Sequence, residues 1–214
     1  VNIPRNTLAN WVITPTQNWF VPIFEAMKAA LLKEKVIHAD ETPVQVLKEP
    51  DKPATSKSEM WVYASAIRGH HPIRLFDYHD SRKGSCAKDF LEGFHGVVIT
   101  DGYSGYNKLE GVTRAGCWAH CRRYWYEAMP LGATAENCKS VTGFNFCNRL
   151  FELEKEYAHM SDSDRQAARM EKSKPVLDEF WRWLDSFVPE KGSPLSKPVV
   201  FSLNQKPFLS VFLD

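Results

Sequence analysis

The chain has no apolar run long enough to cross a bilayer and no signal-peptide pattern at its start. No membrane partner is expected, and a cytoplasmic location is. It has no Cys-x-x-Cys pair. Its five cysteines, Cys86, Cys117, Cys121, Cys138 and Cys147, are an odd number in a chain without a secretory signal, so a disulfide framework is not expected. No internal repeat is visible. Net charge is nearly absent, at +1. A neutral chain exerts no global pull on nucleic acid, so any such binding must rest on local basic clusters.

What is present is ordinary for a globular protein: 43% hydrophobic and 25% charged residues. The 214 residues, with 13 Phe and 7 Trp, suffice for one sizeable core or for one domain plus an appendage. The chain begins at Val1 and stops inside the apolar, helix-like run Phe208–Asp214. Neither end reads as a domain boundary, and a fragment of a longer protein or the product of a truncated gene is expected.

The apolar pattern orders the elements. Residues 4–12 suggest a short helix. Phe20, Ile23, Phe24, Met27 and Leu31 recur at about 3.6-residue spacing and suggest a second. Val36–Leu47 reads as extended, with Pro43 at a bulge or edge. Lys48–Ser58 reads as a loop. Met60–Ile67 and Ile73–Tyr78 read as strands of an antiparallel hairpin joined by residues 68–72. Gly84–Phe94 reads as a helix leading to the short apolar strand Val97–Thr100, a crossover that implies a parallel neighbour. Arg114–Trp118 suggests a strand, and His120–Met129 a helix. From Pro130 onward only helical stripes appear: Phe144, Cys147, Leu150, Phe151 and Tyr157, then Leu177, Phe180, Trp181, Leu184 and Val188. The polar stretch Ser161–Arg169 lies between them, and Pro189–Pro198 follows. This order implies an α/β fold with a mixed sheet of ribonuclease-H-like arrangement.

Two apolar runs end in an aspartate, Val36-Ile37-His38-Ala39-Asp40 and Val97-Val98-Ile99-Thr100-Asp101. A charge at the tip of a buried strand needs hydrogen bonds, a cation or a metal. In the expected sheet the two strands are central neighbours. Two carboxylates there can hold a pair of divalent ions about 3.5–4 Å apart, and a sparse acidic site suits Mg²⁺. A loop cap or hydrogen-bond acceptor is the plainer role for a strand-end aspartate. Glu41 alternates to the other face from Asp40, so it is expected in solvent or paired with a basic group.

Tyr103 and Tyr106 in the Gly102–Asn107 turn can stack on bases or close over the core. Cys117 and His120 invite a zinc reading, but one such cluster offers too few ligands for a tetrahedral site. Placing His120 near Asp101, with Arg122 and Arg123 contacting phosphate, is the alternative. Arg82, Lys83 and Lys108 extend that basic track, and each is also an ordinary surface residue.

The stretches His38-Ala39-Asp40-Glu41-Thr42-Pro43, Val98-Ile99-Thr100-Asp101-Gly102-Tyr103-Ser104-Gly105-Tyr106 and Cys117-Trp118-Ala119-His120-Cys121-Arg122-Arg123 come in that order, with Met60-Trp61-Val62-Tyr63 between. Together they resemble the insertion-sequence-66 family of bacterial transposases over nearly the whole chain. The resemblance implies a ribonuclease-H-like core of the Asp-Asp-Glu type that binds two Mg²⁺ or Mn²⁺ ions. Such a core cuts and joins double-stranded DNA at transposon ends, near the nucleoid, as a homo-oligomer. It implies Asp40 and Asp101 as the first two catalytic acids and metal ligands. It also implies a linker over 1–34, an incomplete catalytic core over 35–130 and a helical insertion with a truncated end over 131–214. The family's glutamate follows a Phe-Leu-Asp stretch, and the chain ends at Phe212-Leu213-Asp214. Glu171, Glu179 and Glu190 do not match its motif. A core fragment inactive alone is therefore expected. The alternatives are a DNA-binding or transposase-binding inhibitor, or another nuclease of this fold with its third acid at Glu59, Asp77 or Glu127.

Overall fold

The computed structural model describes residues 2–66, 69 and 71–214, which fall into two compact units, 1–113 and 114–214. The first unit opens with α1 (Arg5–Pro15), which passes through a π-helical turn at Thr16–Phe20 into α2 (Val21–Leu31). Pro15 withholds an amide from the helical ladder just where the turn widens. In the expected stripe, Phe24, Met27 and Leu31 pack on the core, whereas Phe20 and Ile23 are exposed. The helix engages the core only from Phe24 onward, so the apolar spacing overstates the buried face.

Strands β1 (Val36–Gln45), β2 (Lys57–Ser65) and β3 (Arg74–His79) form an antiparallel meander. β2 begins at Lys57, inside the stretch expected as loop. Of the expected strand end and hairpin link, Ile67, Arg68 and His70 lie outside the described residues. Helix α3 (Gly84–Phe90) leads to β4 (Val97–Thr100), which pairs parallel with β1 through Val36–Val97, Ile37–Val98 and His38–Ile99. β5 (Thr113–Gly116) completes a sheet of order β3-β2-β1-β4-β5, and its first residue, Thr113, donates to the Gly96 carbonyl at 2.9 Å. This mixed sheet with flanking helices has the ribonuclease-H-like order that the element sequence implies.

Alternation along the strands builds the core. Ile37 and Ala39 of β1, Trp61 and Tyr63 of β2, Leu75 of β3 and Val98 of β4 are buried with Ala87, Phe90, Leu91 and Phe94. The Tyr63 ring stacks on Phe90 at 3.6 Å, and Trp61 meets Tyr106 edge to face at 5.8 Å. Beyond His38 the β1–β4 ladder stops. The pairing with β2 runs from Ile37 to Gln45, so past His38 β1 keeps only that neighbour, and there it tolerates Pro43, which has no amide proton.

The second unit carries five helices among the described residues: α4 (Trp118–Glu127), α5 (Lys139–Glu156), α6 (Asp162–Ala168), α7 (Lys174–Leu184) and α8 (Ser196–Leu209). Cys121, Trp125, Cys147, Leu150, Phe180 and Leu184 share its core. The polar stretch Ser161–Arg169 between the two stripes contains α6. Ser161 caps that helix by accepting the Asp164 amide at 3.1 Å, so local capping outweighs the lack of an apolar stripe. Val188, placed in the second stripe, is exposed past the end of α7.

One close approach holds the first unit's turn region. A Cβ on Gly84 would stand 2.4 Å from the Gly105 carbonyl oxygen, so only glycine lets the start of α3 lie on the loop after β4. Gly84→Ala is expected to lower stability by about 1–3 kcal/mol through this backbone clash. The neighbouring exposed Ser85→Ala should stay within about 0.5 kcal/mol. Urea midpoints of the two variants check the difference.

Candidate functional site

Strand β1 delivers Asp40 by alternation: Ile37 and Ala39 are buried, and His38 and Asp40 are exposed. β4 is continuously apolar for four residues and then releases the chain at Asp101. The offset that pairs Val36 with Val97 and His38 with Ile99 is also the offset between Asp40 and Asp101. Both aspartates lie beyond the paired residues of this ladder, Asp40 midway along β1 and Asp101 directly after the last residue of β4. Asp101 turns its carboxylate back on the loop that follows and accepts the Tyr103 amide at 2.8 Å, while Asp40 accepts the Glu41 amide at 3.1 Å. Among the described residues, no group of three or more His, Cys, Asp or Glu side chains is arranged to hold a metal ion.

Glu41 has a basic partner, as one of its two expected readings holds, but it is not in solvent. Its side chain is 1% exposed and accepts from Arg82 Nε at 2.8 Å and Nη2 at 2.5 Å, and from the Tyr106 hydroxyl at 2.6 Å. Burial pushes its carboxyl above the ordinary value. The Tyr106 and Arg82 hydrogen bonds hold it back, and the Asp101 charge pushes it further up. Burial, and then the Glu41 charge, likewise raise the Tyr106 hydroxyl. Asp101 therefore lies within electrostatic reach of Glu41, although the alternation of β1 turns Glu41 away from Asp40.

Tyr106 is a correction to the base-stacking expectation. It is 1% exposed, with its ring against Trp61 and its hydroxyl on Glu41, so it presents no face to a base. Tyr103 is half-buried. The Arg82 guanidinium lies 4.1 Å over its ring, and its hydroxyl donates to the Arg82 carbonyl. Lys108 is exposed. His120, Arg122 and Arg123 belong to the second unit and Asp101 to the first. On α4, Arg123 is exposed, whereas Arg122 is already engaged. Its Nε donates to Asn148 at 2.6 Å, and its guanidinium lies 4.4 Å over the Phe144 ring.

Cys117 sits at the N-cap of α4, one turn before His120. Burial pushes its thiol up, but hydrogen bonds from the His120 side chain and backbone outweigh that and leave it below the usual thiol range. Cys121 and Cys147 are enclosed in the helical core, where burial holds the Cys147 thiol well above its usual value.

The sheet order and its flanking helices define an α/β domain of ribonuclease-H-like order, in which Asp40 lies midway along β1 rather than at the strand tip that the apolar run suggests. The family model described as Transposase IS66 family matches residues 1–214, and the chain belongs to that family. Relatives in Sinorhizobium fredii (strain NBRC 101917 / NGR234) include the uncharacterized protein y4hP, 26% identical, and the uncharacterized protein y4qI, 29% identical. Each match covers 100% of this chain and 42% of the relative. The chain thus spans about two fifths of the length of these relatives. A solved structure, the Drosophila P element transposase strand transfer complex, is similar at 11% identity and a TM-score of 0.31, over 84% of this chain and 52% of that one.

The Cys117–His120 pair has a measurable consequence. Cys117 should alkylate with iodoacetamide several-fold faster near neutral pH than an ordinary thiol of equal exposure, because more of it is thiolate. His120→Ala should slow the reaction and move the midpoint of its rate–pH profile upward. Mass spectrometry of the labelled peptide reads both, and an unmoved midpoint would refute the pairing.

Proposed function

We propose that this chain carries two of the acids of an IS66-family DNA transposase, with Asp40 and Asp101 jointly holding a divalent cation, Mg²⁺ or Mn²⁺. The observation behind this reading is the shared offset: the sequence separation that pairs Val36 with Val97 and His38 with Ile99 is also that between Asp40 and Asp101, so the same register carried onward would bring the two acids level. Two hard oxygen donors, one of them exposed, fit an ion that keeps several of its waters. When bound, the cation supplies a nucleophile of lowered pKa and charge stabilisation at a phosphodiester. The chain's own residues bind and orient. The aspartates hold the ion. Lys108 in the first unit and Arg123 in the second are both exposed, and each by itself attracts a DNA backbone without reading its sequence.

No glutamate of residues 1–214 matches the family's third-acid motif. Residues that act as a catalytic unit lose most of their rate when one is missing. The 214-residue chain by itself is therefore read as binding metal weakly without strand transfer. Assembly into a multimer on paired DNA ends belongs to the whole protein and to this proposal.

Two measurements test the reading. Mn²⁺ titration followed by electron paramagnetic resonance should show a weak site in the parent chain, with affinity lowered at least tenfold by Asp40→Asn and by Asp101→Asn. Parent-like binding in both variants would sink the shared site. For DNA, the double variant Lys108→Ala, Arg123→Ala should weaken binding to any duplex alike and reduce the salt slope by about 2. An unchanged slope would remove both residues from the interface.

A further inference from the structure

The side chain that follows Asp40 and the loop that follows Asp101 are joined by a closed set of contacts. Glu41 is carried to the core face by the alternation of β1, and both its oxygens are taken: Oε1 by two Arg82 nitrogens and Oε2 by the Tyr106 hydroxyl. Arg82 comes from the segment between β3 and α3. Its guanidinium covers the Tyr103 ring at 4.1 Å, and its carbonyl accepts the Tyr103 hydroxyl. Tyr103 meets Tyr106 edge to face at 6.0 Å, and its amide donates to Asp101 Oδ1 at 2.8 Å. The approach of Gly84 to Gly105 presses the two loops together. Contacts thus run from the residue beside Asp40, through Arg82 and Tyr103, to the carboxylate of Asp101. Tyr106 closes a second path to the same loop.

A carboxylate with three donors on its two oxygens has little left for a cation, so Glu41 does not read as a ligand. A buried ion pair is also a poor source of stability, because desolvation offsets its attraction. What the arrangement does supply is fixed geometry between two backbone segments, each next to an acid.

We propose that Glu41 is a positioning residue: with Arg82 and Tyr106 it braces the Gly102–Asn107 loop against β1 and holds Asp101 in place relative to Asp40 before a divalent cation binds. This rests on the reading that those two aspartates share the ion. Partners behind metal ligands commonly change affinity by about 10- to 100-fold when removed.

The experiment uses the full 214-residue chain with Glu41→Gln, with Tyr106→Phe, which keeps the ring and its packing, and with both changes. Mn²⁺ is the probe, and Asp40→Asn is the ligand control. Hydrogen exchange of the Tyr103 amide, followed by NMR without metal, is a second readout, and circular dichroism checks folding. The brace predicts roughly tenfold weaker Mn²⁺ binding and faster Tyr103 exchange in each single variant, with little further loss in the double. If Asp40→Asn abolishes binding while Glu41→Gln and Tyr106→Phe bind Mn²⁺ like the parent, the brace is overturned and the shared site stands. If the parent binds no Mn²⁺, the shared site fails and the positioning role fails with it. Unchanged Tyr103 exchange in both folded single variants overturns the brace whatever the metal data show.

Discussion

The parallel pairing of β1 with β4 is the constraint on which the first unit depends. It is short, three residue pairs long, and it does two things at once. On one face it brings Ile37 and Ala39 beside Val98 and Thr100, where burial from water is the main stabilising term. On the other side it joins the strand that carries Asp40 to the strand that Asp101 directly follows. A slip of one residue would reverse every side chain of β4 and place Val98 in solvent. The apolar core therefore fixes the register of β1 against β4, the two strands that lead to these acids. The same short ladder explains how Pro43 and the exposed Asp40 sit on a strand that is central further back.

Much of this was legible in the residue pattern, and the reasons are specific. Val97–Thr100 is a continuous apolar run after a helical stripe, and that combination implies a parallel crossover strand. The expected element order also made the first strand and this one central neighbours, and β1 and β4 do pair. What was not legible concerns residues whose burial is decided by distant partners. Tyr106 sits in a Gly-rich turn, where an aromatic ring is as well suited to solvent as to the core. Only the approach of Gly84 to Gly105 and the Trp61 ring settle that it goes inward. The Phe20–Ile23 stripe misled for the opposite reason, since helical spacing reports which residues share a face but not how far along the helix that face meets anything. Val188 extends a correct stripe beyond the point where α7 stops.

Glu41 shows the limit most clearly. Strand alternation set it opposite Asp40, and a basic partner was one of the two options. Nothing local identified that partner as Arg82, 41 positions away, or added the Tyr106 hydroxyl from 65 positions away. A carboxylate next to a candidate metal ligand invites the view that it is a third ligand. Its geometry gives the opposite reading, because its oxygens are taken by Arg82, from the segment before α3, and by Tyr106, from the loop that carries Asp101 onward. Strand alternation separates two adjacent acids into different tasks, one facing outward and one facing the core. The core-facing acid is satisfied by hydrogen bonds that an apolar pair of equal volume would not need. A stability-driven sequence has little reason to keep a half-exposed arginine on a buried glutamate at that point. Holding two loop ends at a defined separation is a reason that the observed contacts meet directly, and it ties the chemistry at the rim of the sheet to packing one residue behind it.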